Sequence, residues 1–353
     1  MTQRTLAGLL AVPLLVALWV AALLAPLPYV TYSPGFTIDV LGKEGGKEVI
    51  QVSGTEAFRD EGQLRFTTVF VTQPDTDVNL FELMGAWLDP DAAVYPYDSV
   101  YTPEDTDESS REEGAAEMAS SQDTAIAVAL TKLGYDVQTP VVARVTPDSP
   151  SVGVMRKGDR ILAVNGDDVS TTTAIGEAVS STPDGEPVEV RYERDGEVRT
   201  ASVDREVIDG YPRIGIEMTT DFDFPFDVEV GIDPDIGGPS AGLMFSLAIY
   251  DTLTEGSLTG GEIVAGTGTI QPDGSVGPIG GVDQKIAAAR DDGALLFLVP
   301  PDNCADALDA PNGDMRLVRA ETMSDAVDAI EAWTADRDAE LPECTDETGS
   351  ARG

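Results

Sequence analysis

Two glycine-rich runs carry the residue types from which a nucleophilic site could be built. The first is GGPSAG at 237–242, which places Ser240 just ahead of LMFSLAIY at 243–250, an apolar run that favours a buried helix. A helix start offers unpaired N–H groups and the positive end of a dipole, and both can hold an oxyanion. The backbone at Gly238, Pro239 and Ala241 is therefore the candidate oxyanion pocket, although a serine in such a turn can also do no more than cap the helix. The second run, GPIGGVDQKIAAAR at 277–290, reads as a tight turn into a helix, with Lys285 in its early turns and Gly293 beyond its end. Alone, that lysine is a solvated helix residue.

Composition decides what these two can be to each other. The chain has no histidine, so the usual general base of hydrolases and the commonest zinc ligand are both missing. Its two cysteines, Cys304 and Cys344, lie far apart without CxxC spacing; no metal site and no cofactor is implied, and whether the two pair stays open. A serine hydroxyl needs a neighbouring base, and a neutral lysine amine is the remaining strong candidate. Lysine ordinarily titrates near 10.4, so neutrality at pH 7 needs a drop of about 2 to 3 units, which burial can supply. With 63 acidic against 22 basic residues, the net charge of −41 opposes that drop. The expectation is that no carboxylate contacts Lys285 and that Asp283 points away from it. The same charge repels nucleic acid and anionic surfaces.

Other segments must position these runs. Residues 6–27 are uncharged and almost wholly apolar, about 33 Å as a helix, and read as a membrane-spanning anchor. With Arg4 ahead of it, the positive-inside rule predicts a cytoplasmic N-terminus and a single-pass arrangement, with everything after Pro28 outside. Alternating runs such as LRFTTVFV at 64–71 predict strands of a small membrane-proximal unit with no chemistry of its own. An acidic stretch over 103–121 leads into an apolar one over 125–133, a solvated helix running into a packed one. Between 141 and 205 the pattern changes to short strands and turns, with a helix over 172–180 and strands over 188–193 and 197–203. No GxxxxGK[ST] loop occurs, so no nucleotide-driven unfoldase is encoded.

SP at 149–150 followed by GDRILAVNG at 158–166 resembles bacterial PDZ domains. That resemblance implies peptide binding by strand addition to a sheet edge, with Leu133, Gly134 and Tyr135 as the best match to a carboxylate-holding loop, or else a module that merely spaces its neighbour. GPSAG at 238–242 and PIGG with Lys285 behind it, in that order, are similar to the proteolytic domain of Lon-type peptidases over about 212–333. The likeness implies Ser240 as nucleophile, Lys285 as its base, the Thr267 hydroxyl as a support for the lysine, and ring-shaped homo-oligomers. Gly237 departs from the family, whose ATP-driven members commonly carry an acidic residue there. Anchor, PDZ module and peptidase in this order resemble the small ATPase-free Lon-like proteins of Gram-positive bacteria.

The expected fold is therefore a multi-domain α+β chain: a transmembrane anchor (1–28), a strand-rich membrane-proximal region with an acidic helical segment (29–124), a PDZ-like β-rich domain (125–206), a Lon-type α/β peptidase domain (207–335) and an acidic tail (336–353). The expected function is ATP-independent hydrolysis of protein or peptide substrates near a membrane. The alternatives are a non-catalytic PDZ adaptor with a degenerate peptidase scaffold, and a tether for a separate protease.

Overall fold

The computed structural model describes residues 3–208 and 210–345. The chain opens with α1 (Gln3–Leu24). Among the described residues no helix is long and apolar enough to cross a membrane. This corrects both the spanning anchor expected over 6–27 and the single-pass placement drawn from it. The helix stops at Leu24, and Leu27 already pairs with Val78.

Next come β1 (Tyr29–Asp39), β2 (Ile50–Ser53), β3 (Gln63–Val71), α2 (Leu80–Leu88), β4 (Ala93–Pro96) and the long α3 (Asp107–Lys132). A second group follows: β5 (Gln138–Val145), β6 (Arg160–Val164), α4 (Thr172–Ser181), β7 (Val188–Arg194) and β8 (Glu197–Val203). The chain continues through β9 (Ile216–Phe222), β10 (Asp227–Val230), α5 (Gly242–Leu253), β11 (Ile263–Gly266), α6 (Val282–Asp291), β12 (Leu296–Val299), β13 (Arg316–Arg319) and α7 (Met323–Ala335).

Two sheets organise these elements. The larger has the order β13-β12-β11-β3-β1-β4, with β11 parallel to β3 and to β12, and β1 antiparallel to β3. Every residue of β12 is buried, as expected of a parallel strand covered on both faces. Alternation sorts its side chains. Val264, Leu296 and Leu298 join the core built by α3, α5 and α7, while Ala265, Phe297 and Val299 join the core under α6. Phe66 of β3 meets Phe245 of α5 edge-to-face at 5.4 Å, both essentially fully buried.

That sheet revises the expected domain order. The strands over 29–71 are not a separate membrane-proximal unit, because β3 lies hydrogen-bonded in the middle of the sheet that holds β11 and β12. α3 likewise packs along α5. The second sheet, β8-β7-β6-β5-β9, encloses its own core of Val142, Ile161, Val164, Ile175, Val179 and Val190. It is inserted between α3 and β10, so the larger unit is assembled from both ends of the chain.

The C-terminal segment lies along β13, where Arg319 N–H reaches Pro342 O at 2.7 Å, and Cys304 and Cys344 are joined in a disulfide across 40 residues of chain. The rest of the expected acidic tail, 346–353, falls outside the described residues. A cross-link closing a loop of that size stabilises by about 2–4 kcal/mol, mainly by restricting the unfolded chain. Replacing both cysteines by serine should lower the unfolding free energy by that amount in non-reducing denaturant titrations; unchanged stability would mean the bridge does not form in solution.

Candidate active site

α5 is apolar on every side and buried from Leu243 through Ile249, so it can only stand inside the molecule, between α3, α7 and the sheet. Its N-terminus is thereby fixed at one end of the sheet, with Ala241 as the N-cap residue and half-buried Ser240 just before it. The loop ahead of Ser240 is held by α3. Gly238 N–H donates to Gly114 O at 2.9 Å, and the Ser121 hydroxyl donates to Pro239 O at 3.0 Å. Behind it, Ser240 O accepts from Gly268 N–H at 2.8 Å and from Thr267 Oγ1 at 3.1 Å.

These bonds sort the candidate oxyanion groups. Pro239 has no N–H, and that of Gly238 is engaged by α3, so neither supplies a donor. The N–H groups of Ser240 and Ala241 have no backbone acceptor among the described residues. The Gly237 departure also finds a cause here: a Cβ on Gly237 would lie 3.1 Å from the Gly114 backbone. A side chain at 237 would crowd the α3 backbone at Gly114.

Lys285 sits in the first turn of α6, whose start is left-handed Gly281 (φ 68°). The turn before it is clamped by Asn303, whose side chain accepts from Ile279 N–H at 2.9 Å and donates to Ile279 O at 3.0 Å. The lysine is 2 % exposed, and its amine donates to Thr267 Oγ1 at 3.1 Å, Thr267 itself being fully buried. Burial pushes the amine down to about 7, and no carboxylate contributes to the shift. Asp283, two residues earlier, faces a different quarter of the helix. Its carboxyl is raised by burial and by Asp306 and Asp309.

Ser240 and Lys285 both line one cavity of about 760 Å³. Its walls are residues 66–71 of β3, residues 234–238, and Arg111 and Gly114 of α3. The amine's hydrogen bond goes to Thr267 rather than to the Ser240 hydroxyl. β3 extends past its last pairing with β11 at Phe66, so the backbone edge over 67–71 runs along the cavity. Sequence reading missed the wall from β3, the clamps from Gly114 and Ser121, and Asn303. The alternation at 64–71 signalled a strand but not its neighbour, and nothing marks Gly114 or Ser121 within an acidic, helix-favouring stretch.

The proposed carboxylate loop at 133–135 does something else. Leu133 N–H bonds Ala129 O, Gly134 N–H bonds Thr131 O and Tyr135 N–H bonds Leu130 O, which is the Schellman closure of α3. All three donors serve the helix end, leaving none for a peptide terminus. Tyr135 packs edge-to-face on Phe226 at 5.6 Å.

Residues 116–204 match the family model of the PDZ domain, and residues 215–332 that of the Lon protease (S16) C-terminal proteolytic domain. The chain is 34% identical over 110 residues to Lon protease of Phenylobacterium zucineum, covering 30% of this chain and 14% of that protein. It is 32% identical over 111 residues to Lon protease 2 of Bacillus subtilis, covering 31% and 19%. It is 34% identical over 71 residues to the zinc metalloprotease RasP of Geobacillus kaustophilus, covering 20% and 17%. The chain thus spans under a fifth of the length of each of these relatives. The chain thus carries a PDZ domain followed by a Lon-type (S16) proteolytic domain, the make-up of a Lon-like, PDZ-containing serine peptidase.

Proposed function

We propose that the chain hydrolyses peptide bonds without nucleotide, with Ser240 as nucleophile and Lys285 as general base. The observation that carries this reading is the buried Lys285 amine, brought down to about 7 by desolvation with no carboxylate beside it, opening on the cavity that holds Ser240. A neutral amine has two hydrogens and one lone pair. Because one hydrogen is tied to Thr267 Oγ1, the lone pair is left to take the Ser240 proton. That the amine bonds Thr267 Oγ1 rather than the Ser240 hydroxyl fits this role, since catalytic hydrogen bonds often close only around substrate.

In the proposed cycle an extended substrate lies along the open edge of β3 at 67–71. Ser240 Oγ attacks the scissile carbonyl as its proton passes to Lys285, and the N–H groups of Ser240 and Ala241 hold the oxyanion. Collapse expels the amine half of the substrate, which takes the proton from the Lys285 ammonium. Water then attacks the acyl-enzyme, giving its proton to Lys285, and the acid leaves as Ser240 regains its hydroxyl. Extended peptides also suit the PDZ domain, which would take them at an open sheet edge, of which β8 and β9 are the two available. Nothing here unfolds a substrate, so loops, tails and unfolded chains are the expected class.

Incubating the full chain with an unfolded polypeptide in nucleotide-free buffer should release peptides, and a serine-reactive phosphonate should label Ser240. Ser240→Ala should abolish both; labelling of that variant at the wild-type rate would remove the nucleophile assignment, and an inactive wild type would favour the adaptor or tether readings.

Only the neutral amine can act as base, so the rate should climb as pH rises through about 7 and level off above it. A profile that is flat from pH 5 to 9 would exclude Lys285 from that role.

Stability should carry the same signature. Lysine in the unfolded chain titrates near 10.4, so between about pH 10 and 7 the unfolded state holds the extra proton and the native state loses stability as pH falls. Lys285→Met removes this titration, and its advantage over wild type in urea unfolding should grow by up to about 4 kcal/mol across that window, then stay level below it. An advantage independent of pH would show that the amine is not buried neutral.

A further inference from the structure

The two N–H groups assigned to the oxyanion must be aimed as well as free. A peptide unit is planar and trans, so its C=O and N–H point in opposite directions. Whatever holds the Pro239 carbonyl therefore sets the direction of the Ser240 N–H, and what holds the Ser240 carbonyl sets that of Ala241. The second task falls to Thr267 and Gly268. The first is shared by Gly242 N–H, which donates to Pro239 O at 3.3 Å within the turn, and by the shorter bond at 3.0 Å from Ser121, which is 6 % exposed and lies on α3, far from Ser240 in sequence.

The hydroxyl of Ser121 departs from the habit of its helix. Inside a helix Ser and Thr usually return their proton to the carbonyl four residues earlier, as Thr124 does to Ser120 O at 2.9 Å and Thr131 to Ala127 O at 2.7 Å, both on α3. Ser121 instead reaches across to Pro239 O. Room for it is kept by Gly242, where a Cβ would come within 2.7 Å of the Ser121 Oγ. Gly114 O, two turns earlier on the same helix, fixes the next N–H upstream in the loop, that of Gly238.

We infer that Ser121 is a positioning residue for the oxyanion pocket: by holding the Pro239 carbonyl against α3 it turns the Ser240 N–H away from the helix and toward the cavity. The inference rests on the Ser240 reading. It concerns the transition state, because the N–H direction matters most when negative charge gathers on the substrate oxygen.

The test uses the full chain with a fluorogenic peptide amide and a peptide boronate, which forms a tetrahedral adduct on a serine. Ser121→Ala, and Ser121→Cys as a shape-preserving variant with a poor donor, should lower kcat by about 10- to 100-fold and leave KM within about twofold. Boronate affinity should weaken in parallel with kcat, while the midpoint of the pH profile stays near that of wild type because Lys285 is untouched. An unchanged kcat in both variants, a loss confined to KM, or a shifted pH midpoint would each overturn the inference. Ser240→Ala in the same assays separates the two claims: if it stays active, the nucleophile assignment fails first, and if it is dead, the Ser121 variants decide on their own.

Discussion

The proposed chemistry depends on keeping one ammonium proton off the buried Lys285 amine. A lysine inside a protein of net charge −41 would be expected to stay charged if any of those carboxylates reached it, since a neighbouring anion favours the cation. The fold prevents this by distance and by occupation. Around α6 two acids are paired elsewhere, Asp91 with Arg290 at 2.8 Å and Asp292 with Arg65, while the Asp283 carboxyl is raised by burial and by the like charges of Asp306 and Asp309. The Lys285 amine donates to the Thr267 hydroxyl and borders the cavity that Ser240 lines. A screening length of about 8 Å at physiological salt weakens what remains of the surface field.

Thr267 ties the two halves of the site together. Its hydroxyl has one proton, which goes to Ser240 O, and it accepts from the lysine with a lone pair. The same atom therefore orients the Lys285 amine and braces the peptide unit that follows Ser240. Because Thr267 stands just after β11, both relations inherit the rigidity of the sheet's centre, where β11 is flanked by β3 and β12. Sites carried on such elements hold geometry better than sites carried on loops alone.

How much of this could be read from the chain follows the range of the interactions involved. Ser240 and Lys285 announce themselves through short runs whose chemistry is local, a glycine turn and a helix start, and the PDZ helix and strands appear within a residue or so of the expected 172–180, 188–193 and 197–203. The larger sheet could not be read that way. Nothing in LRFTTVFV says that its neighbour on one side is residues 263–266, a pairing made across most of the chain, and the insertion between α3 and β10 hides it further. Leu133, Gly134 and Tyr135 illustrate the opposite error: a glycine after an apolar helix has a local use, closing that helix, and that use had the stronger claim.

The insertion has a mechanical consequence. β5 begins six residues after α3 ends, and β9 leaves the smaller sheet five residues before β10. α3 is the helix that holds the loop before Ser240, through Gly114 and Ser121. β9 falls outside the residues matched to the PDZ domain and inside those matched to the proteolytic domain, and the chain beyond it forms the 234–238 wall of the cavity. At the junction Asp223 N–H bonds Val137 O at 3.0 Å and the Gln138 side chain bonds Pro272 O at 2.8 Å, so neither connection is a free linker. The PDZ domain is thus seated on two elements that shape the Ser240 side of the cavity, whereas the turn into α6, which carries Lys285, is braced by Asn303.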